Sequence, residues 1–462
     1  MVRAWLLAVA LLVTGVAGCL QSPQQVAPAA TVASPAVAGG LAHIVAEDVM
    51  TFRQSNVTPA VGIAQDLYEP TLEVSDTGTI YVAAHVIGAA TTGTPTYFSR
   101  DDGKTWAQLP FVASVAAPSP IQGAQPPPGD EGFLVAGDHG QAWMADIYAA
   151  GFSVTGWCDN GASQCYDNRE AYDRAASTTS CTPTSLNDRP WSAYGNGTLL
   201  LVNNPGGGPM QIGVMKVPPD LPVGAVGVNG PTWNMCASEG GSIPGVPAMR
   251  KDGLFAVPQM MGSGEDQVLG VVIGNASDIM KVHTQKPFKV TSADDGTVNG
   301  GRAAFDHDGT LYVGAVNNTK DGAGRIILAI SADGGNTFTN TTFAADNTVT
   351  SLFVDGNMAG PGALVAWGQL SQGDKTKTDW YVAHAFVGPD GTPVLRNVTA
   401  AVKNGPPYSA HVMGAAAGPD GRAYFINFFD AGMPGYVGSS PISVWIQKEG
   451  ATLPVTAPVA KS

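Results

Sequence analysis

The chain has 462 residues, of which 58 are glycine and 34 proline, and charged residues make up only 13%. Its formal net charge is −14 with just 23 lysines and arginines and no basic run, so its surface repels phosphate backbones and nucleic acid is not an expected partner. Beyond the N-terminus no long segment has the three-to-four-residue apolar spacing of an amphipathic helix, and the composition suits many short strands and tight turns.

The chain opens as an export signal over residues 1–18. Arg3 supplies the positive end, and Ala4 to Ala17 form an apolar core too short to span a membrane stably. Val16-Ala17-Gly18-Cys19 resembles the lipobox of prokaryotic lipoproteins. That resemblance implies lipidation of Cys19, a membrane anchor through the lipid, and an extracytoplasmic location. Residues 20–40 are proline-, alanine- and glutamine-rich without charge, so 19–42 reads as the lipidated cysteine plus a tether, with the folded domain over 43–457.

Within that domain one phrase recurs seven times: an apolar run, a polar turn with glycine, then a second apolar run rich in β-branched and aromatic residues. Each copy predicts a β-hairpin. The marker glycines are Gly78, Gly140, Gly197, Gly253, Gly309, Gly362 and Gly421, set at nearly even intervals along the domain. A long, regular period built only of strands predicts an all-β, seven-bladed β-propeller of four-stranded antiparallel blades, closed as one unit. Residues 43–56 either add an outer strand to the last blade or leave that blade complete in itself.

In the first repeat Pro70–Val74 and Thr79–His85 read as inner strands, Thr96–Ser99 and Trp106–Phe111 as outer ones. The turn between the outer strands runs Ser99-Arg100-Asp101-Asp102-Gly103-Lys104-Thr105-Trp106, and the fifth repeat has Ser331-Ala332-Asp333-Gly334-Gly335-Asn336-Thr337-Phe338. Both fit Ser-x-Asp-x-Gly-x-Thr-aromatic, and they stand at the same phase after their marker glycines, Gly78 and Gly309. The motif resembles the Asp-box (BNR repeat) of the sialidase-like β-propellers, whose enzymes are six-bladed, making six blades the alternative. The resemblance makes Ser99, Asp101, Gly103, Trp106, Ser331, Asp333, Gly335 and Phe338 structural, with the aromatic filling the gap to the next blade. Pro389-Asp390-Gly391 and Glu449-Gly450 occupy the same phase in repeats six and seven, while 153–186 replaces the hairpin of the second repeat with a cysteine-bearing insertion.

In an exported chain the four remaining cysteines suit disulfides. Cys181 and Cys236 hold equivalent places ahead of Gly197 and Gly253 in adjacent repeats, which suggests a blade-to-blade bridge, and Cys158 with Cys165 would then close a local loop. No cofactor motif is present. Asp306-His307-Asp308-Gly309 looks like part of a calcium (Ca2+) loop but lacks the further ligands and glutamate, and reads as a plain turn.

The resemblance also implies a three-arginine clamp for a sialate carboxylate, an aspartate acid/base and a tyrosine–glutamate nucleophile. Where that family has Arg-Ile-Pro, this chain has Tyr68-Glu69-Pro70, and residues 83–96 contain no Asp, Glu or Arg in the family's aspartate position. A glutamate there repels the group an arginine would hold. The starts of the inner strands instead bring Glu69, Asp130, Asp188, Arg189, Arg302 and His411 toward one mouth of the central channel. Glu69, Asp130 and Asp188 are the candidate catalytic carboxylates, and Arg189, Arg302 and His411 the candidate ligand-binding groups, unless the ring simply pairs internally. The expected function is a non-catalytic surface module for a glycan, peptide or protein ligand; the alternative is a sialidase-like glycoside hydrolase with a divergent site at the channel.

Overall fold

A computed structural model of the chain describes residues 41–57, 67–86, 94, 96–109, 133–148, 151–168, 187–205, 210–217, 234–237, 243–262, 268–289, 301–319, 321–405, 414–427 and 442–456, with only the backbone described at some strand ends. The export signal, Cys19, the tether to residue 40, Asp130, Cys181 and His411 lie outside them.

Seven antiparallel sheets follow one another along the chain, each running from an inner to an outer strand. Blade 1 is Leu67–Val74, Ile80–Val86, Thr96–Ser99 and Ala107–Gln108; blade 2 is Phe133–Ala136, Ala142–Tyr148, Gly151–Cys158 and Ser163–Asn168. Blade 3 starts at Asn187–Gly195, blade 4 at Ile243–Pro244 and Ala248–Met249, blade 5 at Arg302–Phe305, blade 6 at Val349–Gly356 and blade 7 at Ala415–Ala417. This is the seven-bladed propeller, and the six-bladed alternative falls. All seven marker glycines have positive φ, from 67° to 101°, the backbone that each inner hairpin needs.

Middle strands such as Leu311–Val316 are buried along their whole length, because neighbouring blades cover both faces of each sheet. That is why they read as continuous apolar runs rather than alternating ones. The core lies between blades: one cluster joins Leu72, Ile80 and Val82 of blade 1 to Tyr424, Ile426 and Val444 of blade 7. Hydrogen bonds reinforce the seams. The Tyr81 hydroxyl donates to the Gly140 carbonyl of blade 2 at 2.7 Å. Asp306 of blade 5 accepts from the Gly362 amide of blade 6 at 2.9 Å, from Thr310 N–H at 2.8 Å and from the Tyr312 hydroxyl at 3.2 Å. Its carboxylate serves the turn and the seam.

Both Ser-x-Asp turns fold identically. Asp101 accepts Thr105 N–H at 2.9 Å and its hydroxyl at 2.6 Å, while Ser99 Oγ accepts Gly103 N–H at 2.8 Å. Asp333, Thr337, Ser331 and Gly335 repeat these bonds at 2.9, 2.6 and 2.8 Å. The Thr105 bonds hold the Asp101 carboxyl low; partial burial works against the lowering of Asp333, and the Thr337 bonds overcome it. A Cβ on Gly103 would meet Ile446 of blade 7 at 2.5 Å, and one on Gly335 would meet Ile273 of blade 4 at 2.5 Å. Trp106 Nε1 donates to Ser55 of the same seam at 2.8 Å. These turns are therefore spacers against the preceding blade, not the next one as expected.

Two further expectations are corrected. Residues 151–168 are the outer hairpin of blade 2 itself rather than an insertion from 153, and the Cys158–Cys165 disulfide staples its turn. The early cysteines disguise an ordinary hairpin. Cys236 sits on strand Asn234–Ala237, but its link to Cys181 lies outside the described residues. Among the described residues Glu449-Gly450 leads into no further strand: the outer strand of blade 7 is Met50–Val57, paired antiparallel along Ile442–Gly450. Ahead of it, Ala42–His43 pairs parallel with Thr339–Ala344 of blade 5, and Glu47 N–H donates to Val398 of blade 6 at 2.7 Å. Arg53 and Arg422 of blade 7 both pair with Asp102 of blade 1, at 2.7 and 3.0 Å.

Deleting residues 41–57 removes a whole ladder and the burial of Met50 and Val57. At about 1 kcal/mol per bond, the loss rivals the total stability of an ordinary domain. The deleted protein is expected to lose its cooperative thermal transition, and an unchanged melting curve would refute this closure.

Candidate functional site at the hub

The inner strands converge on a central cavity of about 380 Å³. Its lining runs from Phe133, Ala303 and Phe353 deep in the channel to the exposed hairpin residues Asp76, Asn196, Lys251 and Met358, so it opens on the hairpin side. Below it aromatic side chains crowd the channel among the described residues. Phe133 meets Trp191 edge-on at 5.2 Å, and the buried Arg302 guanidinium lies 5.4 Å from the Trp191 ring and 4.6 Å from that of Phe353.

Register shows where the innermost strands depart from an apolar pattern. The innermost strand of each blade carries one residue opposite the large apolar side chain that follows the hairpin. These are Val135 opposite Trp143, Ala193 opposite Leu200, Met249 opposite Phe255, Ala304 opposite Tyr312 and Ala416 opposite Tyr424. Blades 1 and 6 break the pattern with Glu73 opposite Tyr81 and Asp355 opposite Leu364. These blades flank blade 7, so both acids stand on one side of the ring.

Each acid is positioned by the next blade. Asp355 Oδ2 accepts Ala417 N–H of blade 7 at 2.7 Å, and Glu73 accepts Ala136 N–H of blade 2. Both line the cavity and keep some exposed surface, yet protein encloses them. Burial drives the Glu73 carboxyl well above the usual range, and the Asp355 charge drives it further. Burial likewise pushes Asp355 up to about 7, against the hydrogen bonds from Ala417 and Gly356. Glu73 therefore keeps its proton to higher pH than a free glutamate, and Asp355 stands between its two forms near neutrality.

The rim acids are occupied structurally. Asp76 accepts His139 N–H at 2.9 Å and Gly140 N–H at 2.7 Å. Asp138 accepts the Tyr194 hydroxyl at 3.0 Å; burial and that carboxylate push the phenol up to about 12. Among the described residues no group of three or more His, Cys, Asp or Glu could hold a metal ion.

Of the expected hub residues only the Arg302 side chain is described, and it lies against the Trp191 and Phe353 rings. Glu69, Asp188 and Arg189 lie on inner strands with only their backbones described, and Asp130 and His411 lie outside the described residues. Sequence reasoning missed Glu73 and Asp355 because it searched the starts of the inner strands, whereas these acids stand near their ends. Aligning the repeats on strand pairing would have exposed two acids in an apolar ring; alignment on glycine hid them, because the blade 6 turn is longer.

No protein-family model matches the chain, and no curated protein matches it. Among solved structures it is similar to a Dyadobacter fermentans protein of unknown function, at 12% identity over 86% of this chain and 99% of that one, TM-score 0.44. It is also similar to the phage phi92 endosialidase, at 12% over 88% and 70%, TM-score 0.45. A third likeness is to the Penicillium chrysogenum α-L-arabinanase complexed with arabinobiose, at 12% over 86% and 97%, TM-score 0.41. These are likenesses of fold and carry no activity across.

A group whose folded pKa is raised stabilises fully below its unfolded value, and that stabilisation is lost as pH rises through the folded value. For Glu73 and Asp355 the window opens near pH 4 and extends through about 7 and beyond. Buried His384 of blade 6, lowered by burial to about 4, works oppositely: its contribution is present above 6.5 and lost as pH falls through about 4. Urea denaturation from pH 4 to 9 is expected to show stability falling on the alkaline side, with Glu73→Gln plus Asp355→Asn flattening that limb. A double variant with the wild-type alkaline slope would contradict the assignment.

Proposed function

We propose that the protein is a membrane-anchored, extracytoplasmic β-propeller lipoprotein that binds a polar ligand, a glycan end or peptide, in its hub cavity without turning it over. The cavity carries the reading. At about 380 Å³ it falls within the range of ligand pockets, and its apolar wall with a few convergent polar groups is their usual chemistry. Among the described lining residues the one cation is Lys251, on a hairpin three blades from blade 7, so the clamp that a sialate carboxylate requires is missing from this wall.

The carboxyl pair favours one second reading, a sialidase-like glycoside hydrolase with a divergent site in the channel. A Glu73 that holds its proton more tightly than a free glutamate, with an Asp355 poised near neutrality, divides acid from base as such chemistry needs. In that case Glu73 would donate to the leaving oxygen while Asp355 took the proton of the attacking water.

A glycan array and a set of fluorogenic glycosides, applied to the purified mature chain, separate the readings. Binding without turnover, weakened at least ten-fold by Glu73→Gln, is expected; turnover abolished by Glu73→Gln and by Asp355→Asn would establish the hydrolase, and ligand binding untouched by both would remove the cavity as the site. Cys19→Ser is expected to move the protein from the membrane to the soluble fraction, and retention on the membrane would exclude the lipid anchor.

A further inference from the structure

We propose that the hub cavity takes a ligand whose buried end carries one protonated amine, with Glu73 and Asp355 as its counter-charge. The inference deepens the reading of the cavity as a ligand site and rests on it. Around these acids the other five blades line the cavity with Val135, Ala193, Met249, Ala304, Ala415 and Ala417, so below the rim the charged lining groups among the described residues are Glu73 and Asp355.

There a ligand's polar end meets two carboxyls with no cation among the described groups that act on them. Glu73 faces Asp355 and the Ala136 amide; Asp355 faces the Ala417 and Gly356 amides. Two carboxyls whose charges act on one another in an enclosed, largely apolar wall resist ionising together and keep their protons to higher pH than free carboxyls do. An anionic ligand end is opposed by this wall, and a neutral one leaves the tension between the acids unrelieved. An ammonium relieves it: it is donor-only where ionised carboxylates are acceptor-only, and its charge favours their ionised forms. Lys251 stands on the blade 4 hairpin and Arg302 is held between Trp191 and Phe353; neither is among the groups that act on the two acids. Asp76 and Asp138 add the same sign at the rim and favour the approach of a cation.

Binding must then displace a proton from the carboxyl pair to solvent. No bond other than O–H to the pair is broken, and the amine keeps its own proton. This separates the proposal from simple burial of a polar ligand.

Isothermal titration at pH 7 with glucosamine and n-butylamine against N-acetylglucosamine and glucose tests it on the full chain. At least ten-fold tighter binding of an amine than of its neutral counterpart is expected, with proton release seen as a heat that depends on the buffer's ionisation enthalpy. Glu73→Gln plus Asp355→Asn, checked for folding by its melting curve, should erase both the preference and the proton release. Equal binding of N-acetylglucosamine and glucosamine overturns the inference while leaving the cavity as a ligand site. Failure of both amines to bind overturns it as well, and the glycan array then decides separately whether the cavity binds anything. The proton release needs no variant, so a double variant that fails to fold still leaves a deciding measurement.

Discussion

Closure of the ring is the constraint on which everything else rests. Six blades take all four strands from consecutive chain, but the seventh takes its outer strand, Met50–Val57, from the opposite end of the domain. A sheet in a propeller has no core of its own, so each blade needs two neighbours, and the first and last must find one another. The strand does this with backbone hydrogen bonds, and the first Ser-x-Asp turn adds side-chain bonds across the same seam through Asp102, Gly103 and Trp106. The N-terminal segment also touches blades 5 and 6 on the way, binding three successive blades by their outer edges.

A closed ring forces seven inner strands around one axis, and what they carry there decides whether the axis is filled or hollow. On one side of the cavity floor the chain supplies Phe133, Trp191, Arg302 and Phe353, which fill it. Nearer the hairpins it supplies alanine and valine at several positions, which leave room. Two acids in that space are costly to ionise and hold their protons to higher pH than a surface carboxylate would. The same enclosure that makes them poor stabilisers at alkaline pH makes them responsive to whatever enters. The C-terminal segment supports the lip of this space: Asn357 donates to the Pro454 carbonyl at 2.7 Å, and Thr456 N–H donates to Ala359 at 2.7 Å.

What could be read directly from residues was local. The hairpins, their glycines, the number of blades and the two Ser-x-Asp turns each depend on short contiguous stretches whose backbone demands are written in their residue types, and the fold followed from repeating them. The tertiary structure alone decided which segment closed the ring, where the hub cavity lay, that Arg302 was packed against aromatics, and that the charges of Glu73 and Asp355 would act on one another. Those two acids belong to the first and sixth repeats, and nothing near either one distinguishes it from a solvated strand residue. Their interaction depends on blade order and on strand register, where one extra turn residue shifts an alignment based on glycine. Local conformational preference is encoded residue by residue; proximity across a closed ring exists only once the ring has formed.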